Sequence, residues 1–147
     1  MMRCPINGFT LIEVVVVLAI IFSLTILALP AYQRHINTSN RALAAAAILE
    51  TSVRQQQFFA ENKRYARSML ELGYSQESYG LDRRGKRVKN EAANRVYIVE
   101  LATEVGAFTV RAIPQLAQSN DNLCGIMSLT SSGIRSVDGK GSAGSCW

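Results

Sequence analysis

The beginning of the chain is dominated by one nearly uninterrupted apolar run. Between Phe9 and Leu29 the only charged residue is Glu13, and a short segment, MMRCPING, precedes the run. A helix rises about 1.5 Å per residue, so the run spans roughly 30 Å, which is the thickness of the hydrocarbon core of a bilayer. The pattern predicts a single membrane-spanning helix.

The next segment, from Tyr32 to Tyr65, combines an apolar arc with polar positions. It contains neither Gly nor Pro and is rich in helix-forming residues. On a helical projection, the apolar arc contains Ile36, Leu43, Ala47 and Phe58, with Ala46 and Val53 at its flank. The polar positions include Arg34, Arg41, Glu50, Arg54 and Glu61. This pattern predicts an amphipathic helix that is covered on one face.

Three later segments show partial alternation of apolar and polar residues. The segments RVYIVELAT, AFTVRAIP and GIMSLTSSGIRSVDG are rich in β-branched residues and predict three or four short antiparallel strands. Turns are predicted at residues 104–107 and 131–133. Residues 67–90 are rich in Gly, Ser and charge, and we expect a loop with little regular structure there. A small sheet that covers the helix predicts an α+β fold.

The cysteines bear on both the fold and the compartment. Cys124 and Cys146 lie in the same polar, glycine-rich region, whereas Cys4 lies near the start of the chain. We predict a disulfide between Cys124 and Cys146 rather than two unpaired thiols. Closing this loop is expected to stabilise the fold by about 3 kcal/mol in the chain-entropy model. Because a disulfide needs an oxidising compartment, we expect the carboxyl-terminal part to lie outside the cytoplasm.

Glu13 is the unusual feature of the apolar run. A carboxylate in a membrane segment costs a few kcal/mol and usually has a partner or a function. One interpretation is a side chain that reaches the membrane interface from the end of the helix. The other is that cleavage after Gly8 creates a new amino terminus on Phe9, about one helical turn from Glu13 of its own or a neighbouring chain. The ammonium and the carboxylate would then compensate each other in low dielectric.

The sequence GFTLIEVVVVLAII resembles the class III signal of type IV prepilins. The matching features are the short basic leader, Gly8, Phe9, Thr10 and Glu13. The resemblance implies that residues 1–8 are a leader removed by prepilin peptidase after Gly8, and that Phe9 is then N-methylated. It also implies that Glu13 neutralises the terminal amine during subunit docking.

Later segments resemble the PilE-type minor pilins of type IVa pili. These segments are RQQQFFAENKRYA, FTVRAIPQ and CGIMSLTSSGIRSV with the closing SCW. Pro30 stands where pilins often have a proline, and a helix kink is expected there. The resemblance implies a pilin fold, with residues 9–31 as the transmembrane and filament-core helix. Residues 32–147 would form a periplasmic head with a carboxyl-terminal disulfide loop packed onto its sheet.

The function implied by the resemblance is structural rather than enzymatic. The protein would be a minor subunit of a type IV pilus that takes part in assembly or initiation, and hence in twitching motility, cell adhesion or DNA uptake. It would be anchored in the inner membrane with its head in the periplasm and then join the extracellular filament. Its partners would be major and minor pilins, prepilin peptidase and the inner-membrane assembly platform. The alternatives are a major pilin, a DNA-binding competence pilin, or a type II secretion pseudopilin, which usually lacks such a disulfide loop.

Composition adds little chemistry to this prediction. The chain has 16 Lys and Arg against 11 Asp and Glu, a balance compatible with nucleic acid or with a plain soluble head. The single histidine, His35, is expected to be solvated, and without a cluster of His or thiolate ligands we expect no metal or other cofactor. Neither a phosphate-binding loop nor a nucleophile elbow occurs, so no catalytic site is predicted. Residues 120–122 (Asn-Asp-Asn) are predicted to be a polar turn, because their oxygen spacing does not match a calcium loop.

One basic run remains as a candidate binding site. The sequence DRRGKRVK gathers five cations, Arg83, Arg84, Lys86, Arg87 and Lys89. Such a run can contact DNA phosphates electrostatically. Since Tyr79 is the only ring close by in sequence, a solvated loop is favoured over a DNA site. A contact with an acidic neighbour in the filament is the third interpretation.

Overall fold

The computed structural model describes residues 10–147, without the side chain of Leu27. Cys4, Gly8 and Phe9 lie outside the described residues, so leader cleavage and N-methylation stay predictions. The helices are α1 (Leu11–Asn62), a 3-10 helix (Leu116–Asn120) and α2 (Ala143–Cys146). The strands are β1 (Ser78–Asp82), β2 (Arg87–Val88), β3 (Arg95–Glu104), β4 (Ala107–Pro114), β5 (Met127–Thr130) and β6 (Arg135–Val137).

The described chain divides into two compact units, with the boundary after Ile36. The first unit contains the apolar part of α1, which is long and apolar enough to cross a membrane. Its large apolar side chains are exposed, as expected of a surface that lipid or other subunits cover. At its start, the backbone N–H of Glu13 donates to Oγ1 of Thr10 at 3.3 Å, which caps the first turn. Pro30 lies inside the helix, and the kink stays a prediction.

The second unit is a six-stranded antiparallel sheet packed on the later part of α1. The strand order is β2-β1-β3-β4-β5-β6. The core lies between helix and sheet, where Ala44 and Ile48 of α1 are buried with Tyr97, Val99 and Phe108 of the sheet. The predicted α+β fold, with a helix covered by antiparallel strands, is therefore confirmed.

The buried face of α1 differs from the predicted arc. Thr51 and Gln55 are fully buried, whereas Val53, placed at the flank of the arc, is 55% exposed. Gln55 is accommodated because its amide exchanges two hydrogen bonds of 2.9 Å with the backbone of Ala66. Arg41, predicted as a polar surface position, is also buried. The predicted arc is confirmed at Ala47, which is in the core, and at Leu43 and Phe58, which pack against it. The prediction missed the other buried positions because it used apolar side chains alone, while satisfied polar side chains also occupy that face.

The prediction that residues 67–90 have little regular structure was wrong. Strands β1 and β2 lie in this segment and form a hairpin, with Gly80 opposite Val88. The segment Asp82-Arg83-Arg84-Gly85 is its turn, and Gly85 adopts a φ of 75° that disfavours other residues. Asp at the first and Gly at the fourth position is a β-turn signature, so this hairpin had a signal in the sequence.

The later strands agree with their predicted positions. Strands β3 and β4 pair from Tyr97 opposite Pro114 to Glu104 opposite Ala107. The last predicted segment contains two strands, β5 and β6, which are joined by a turn at Gly133.

Candidate functional site

The β1–β2 hairpin carries most of the basic run, and Asp82 fixes its turn. The Asp82 carboxylate accepts hydrogen bonds from the backbone N–H groups of Arg84 and Lys86, at 2.9 and 2.8 Å. The backbone N–H of Gly85 donates to the carbonyl of Asp82 at 3.0 Å. Asp82 is buried, and its carboxylate binds the backbone of the turn rather than the neighbouring cationic side chains. The turn therefore holds its basic side chains outward on a defined backbone.

Four side chains of the basic run are exposed on or beside this turn, and we call them the hairpin cations: Arg83, Arg84, Lys86 and Lys89. Among residues 10–147, none of them takes part in an ion pair, whereas five other arginines do: Arg41, Arg54, Arg64, Arg87 and Arg111. The hairpin cations thus form a cluster of positive charge that the described part of the chain leaves uncompensated.

Arg87 is distinct from the hairpin cations, although the sequence placed it in the same set. Its guanidinium forms an ion pair with Glu50 of α1 and lies over the rings of Tyr74 and Tyr79, 5.0 and 5.5 Å from their centroids. Glu50 also binds Arg54 at 3.1 Å. The hydrogen bond from Arg87 holds the pKa of Glu50 below its usual value, with Arg54 contributing. Arg87 therefore fastens β2 to the helix rather than facing a ligand.

Two tyrosines support the hairpin from below. The rings of Tyr74 and Tyr79 are stacked, with centroids 5.2 Å apart, and both residues are buried. Burial raises the pKa of Tyr79 to about 12, so its phenol stays neutral. These rings pack under Arg87, and their burial prevents them from stacking on nucleic-acid bases.

A groove beside the hairpin brings further cationic and apolar groups together. We call it the arginine groove: it has a volume of about 550 Å³ and is lined by Arg83, Arg84, Arg95 and Leu116, among others. Nη1 of Arg95 donates to the carbonyl of Ala92 at 2.9 Å. Its Nε is buried and has no hydrogen-bond partner among the described residues. The sequence prediction missed Leu116 because it is remote from the basic run along the chain, and it missed Arg95 because that residue follows the contiguous run after an interval without cations.

A buried polar network positions the 3-10 helix that carries Leu116. Gln118 accepts a hydrogen bond of 2.9 Å from Asn40 of α1, and it donates to the hydroxyl of Tyr97 and to Asp121, both at 3.2 Å. Burial raises the pKa of Tyr97 to about 12, which keeps its hydroxyl neutral. All four members of the network are buried: Asn40, Tyr97, Gln118 and Asp121. The network therefore joins helix, sheet and 3-10 helix without a free charge of its own.

Arg41 and Asp121 form the charged part of this region. Nε and Nη2 of Arg41 donate to the two carboxylate oxygens of Asp121 at 2.7 and 2.6 Å. Burial alone would raise the pKa of Asp121, but the hydrogen bonds and the charge of Arg41 outweigh it and lower that pKa. Asp121 was predicted to lie in a plain polar turn. The turn is present, since the backbone N–H of Gly125 donates to the carbonyl of Asp121 at 3.0 Å, but Asp121 is also a buried anchor of the segment that leads to Cys124.

The predicted disulfide is present. Cys124 and Cys146 are bonded, with their Cα atoms 5.7 Å apart, and both are buried. The bond ties the short helix α2 to the segment after the 3-10 helix. Trp147 directly follows Cys146, and the guanidinium of Arg135 in β6 lies 5.3 Å from the centre of the Trp147 ring.

Comparison with known proteins identifies the family. Residues 30–128 match the family described as "Type IV minor pilin ComP, DNA uptake sequence receptor". The chain belongs to this family of type IV minor pilins. Among curated protein sequences no significant match is found. The match confirms the predicted minor pilin, and this pilin's matched region includes the hairpin, the arginine groove and Cys124.

The fold of this minor pilin is also found in a solved pilin structure. A type IV pilin from Shewanella oneidensis is 18% identical, with a TM-score of 0.50, and the match covers 76% of this chain and 97% of that one. At this identity the likeness concerns the fold alone. The family and its long apolar helix identify a membrane-anchored structural subunit that associates with other subunits in pili.

Proposed function

We propose that this minor pilin captures duplex DNA on the pilus through its hairpin cations. The observation that carries the proposal is the cluster of four exposed cations that no carboxylate of the described chain compensates. The description of the matching family, which names a DNA uptake sequence receptor, supports the same ligand. The family description therefore favours a DNA contact over the solvated loop that the sequence alone indicates.

The physical argument is one of counterion release. Each phosphate that a Lys or Arg neutralises releases condensed cations, which makes binding strongly dependent on salt. The turn fixed by Asp82 holds the backbone of the cations in one arrangement. Such an arrangement contacts several phosphates with little ordering cost, because the backbone is already fixed.

Replacing Arg83, Arg84 and Lys86 together by glutamine is expected to weaken binding of the full-length pilin to duplex DNA. If each cation contacts one phosphate, the slope of log affinity against log salt falls by about 3. The pilin would be held in detergent micelles, and fluorescence anisotropy of a labelled duplex would be recorded between about 50 and 200 mM salt.

The matched control removes the same charge elsewhere in the head. The triple variant Arg67→Gln, Arg111→Gln and Lys140→Gln changes three exposed cations outside the hairpin and should keep most of the wild-type salt slope. Equal weakening by both triple variants would reduce the interaction to general charge attraction. A wild-type pilin that binds no duplex even at low salt would overturn the proposed function.

We also propose the route by which the subunit reaches the filament. Prepilin peptidase would remove residues 1–8 after Gly8, Phe9 would be N-methylated, and the inner-membrane assembly platform would insert the subunit. Residues 9–31 would serve first as the membrane span and then as a filament-core helix, which Pro30 would kink. The head, residues 32–147, would face the periplasm, an oxidising compartment that suits the disulfide.

Glu13→Ala is expected to leave the pilin processed and membrane-bound but poorly incorporated into filaments. Without the carboxylate, the new terminal ammonium would enter the apolar filament core uncompensated. Immunoblotting of sheared pili against membranes measures incorporation, and the intact mass of the membrane form shows whether cleavage occurred. Incorporation at the wild-type level would contradict the proposed charge pairing.

A further inference from the structure

Leu116 has an unusual backbone and an unusual exposure for a leucine. Its φ is 51°, in the left-handed region, and the residue is 52% exposed and lines the arginine groove. The left-handed conformation costs an ordinary residue roughly 1–2 kcal/mol relative to glycine. Strained backbone of this kind clusters at functional sites, and the exposed apolar side chain gives Leu116 a means of contacting a ligand.

The surroundings of Leu116 hold it in this conformation. The backbone N–H of Gln115 donates to the carbonyl of Val96 at 2.8 Å, which ties the preceding residue to β3. Two residues later, Gln118 is buried in the network with Asn40. Since a 3-10 helix has about three residues per turn, anchoring Gln118 inward directs Leu116 away from the core.

The neighbours of Leu116 in the groove are cationic. Arg83, Arg84 and Arg95 line the same groove, and the buried Nε of Arg95 has no partner in the described range 10–147. Asp82 also lines the groove, but its carboxylate accepts from the backbone of the turn and does not pair with these arginines. The groove therefore combines the exposed side chain of Leu116 with three arginines, and its other apolar lining residues are Ala93, Val96 and Ala117.

An exposed apolar side chain beside arginines matches the way in which proteins open the DNA minor groove. There, an apolar wedge enters between stacked bases and partially unstacks them, while Arg and Lys side chains read the groove beside it. Leucine is one of the side chains that serve as such wedges. A wedge must project rigidly, and the anchored 3-10 helix provides that rigidity.

We propose that Leu116 inserts into the minor groove of the bound duplex and bends it, while Arg83 and Arg84 contact the flanking phosphates. This inference rests on the proposed DNA-binding function. It adds a source of sequence preference that needs no hydrogen bond to a base. Pyrimidine–purine steps such as TA unstack at lower cost than A-tracts, so the pilin prefers a duplex with such a step beside Leu116.

The test compares two labelled duplexes of about 20 base pairs that differ only in a central TA step or a central A-tract. Full-length pilin in detergent is titrated into each, anisotropy gives the affinity, and energy transfer between dyes at the duplex ends gives the bend. Wild type is expected to bend the TA duplex and to bind it about tenfold more tightly than the A-tract duplex.

Three variants at Leu116 test the side chain and the backbone. Leu116→Gly adopts the positive φ without strain, and Leu116→Ala removes most of the side chain. Both are expected to abolish the bend and the TA preference while leaving the salt slope unchanged, because the phosphate contacts remain. Leu116→Met keeps a long apolar side chain and should still bend the duplex.

The matched control is Leu70→Ala, which truncates a leucine of similar exposure, 51%, outside the groove. It should bend the TA duplex as wild type does. If wild type binds DNA and Leu116→Gly bends it equally, the wedge is overturned while DNA binding stands. If wild type binds neither duplex, the proposed function itself fails.

Discussion

Replacing Asp121 with alanine is expected to destabilise the head by about 3–5 kcal/mol, because it leaves the guanidinium of Arg41 buried without its partner. The side chains of Arg41 and Asp121 are only 11% and 2% exposed, and both carboxylate oxygens accept hydrogen bonds from Arg41. The variant also removes an acceptor of Gln118. The loss is a large fraction of the stability of a domain of this size.

Urea unfolding of the full-length pilin in a non-denaturing detergent measures this loss. Trp147 is the only tryptophan of the sequence and lies partly buried beside the disulfide, so its fluorescence reports on the head. Glu100→Ala, which breaks an exposed ion pair with Arg111, is the control and should cost less than about 1 kcal/mol. An Asp121→Ala variant as stable as the control would contradict the anchoring role.

The same ion pair gives a pH dependence with a defined sign. The folded-state pKa of Asp121 lies below its unfolded value, so folding favours the ionised carboxylate. The contribution of Asp121 to the free energy of unfolding is complete above the unfolded pKa of about 4, and it is lost as the pH falls through the folded-state pKa. Wild type should therefore lose stability below about pH 4 more steeply than Asp121→Ala does.

The elements predicted from the sequence are those that local patterns determine. The helix, the turn between β3 and β4 and the disulfide follow from periodicity, from glycine and from the positions of the cysteines. The buried positions of Arg41 and Gln55 do not follow, because a polar side chain is buried only when a distant partner satisfies it. Gln55 is satisfied by the backbone of Ala66, 11 residues later, and Arg41 by the carboxylate of Asp121, 80 residues later.

The candidate site was predictable only in part for a similar reason. The basic run is contiguous and could be read directly, including the hairpin cations Arg83 and Arg84. The structural role of Arg87 could not be predicted from the sequence, because Glu50 and the two tyrosines contact it only in the folded hairpin. The arginine groove combines three separate segments, so no local pattern indicates that Leu116 lies beside Arg83.

Removing the disulfide with the double variant Cys124→Ala and Cys146→Ala is expected to cost about 3 kcal/mol in the chain-entropy model. The bond closes a loop whose ends are separated by 22 positions, and it holds α2 and Trp147 onto the end of the sheet. Urea unfolding followed by Trp147 fluorescence, with and without a reductant, measures the effect. Reductant should destabilise wild type to the level of the variant and leave the variant unchanged. Equal unfolding of oxidised and reduced wild type would contradict the prediction.

The disulfide and the Arg41–Asp121 pair are expected to be coupled, because both hold the segment between the 3-10 helix and Cys124. Asp121 lies close to Cys124, and its carbonyl accepts a hydrogen bond of 3.0 Å from the backbone N–H of Gly125. Once either anchor is removed, the segment becomes more mobile in the folded state. The remaining anchor then contributes less to the free energy of unfolding. The variant lacking both should therefore lose less stability than the sum of the separate losses, by about 1 kcal/mol or more. Strict additivity would mean that the two anchors stabilise separate parts of the head.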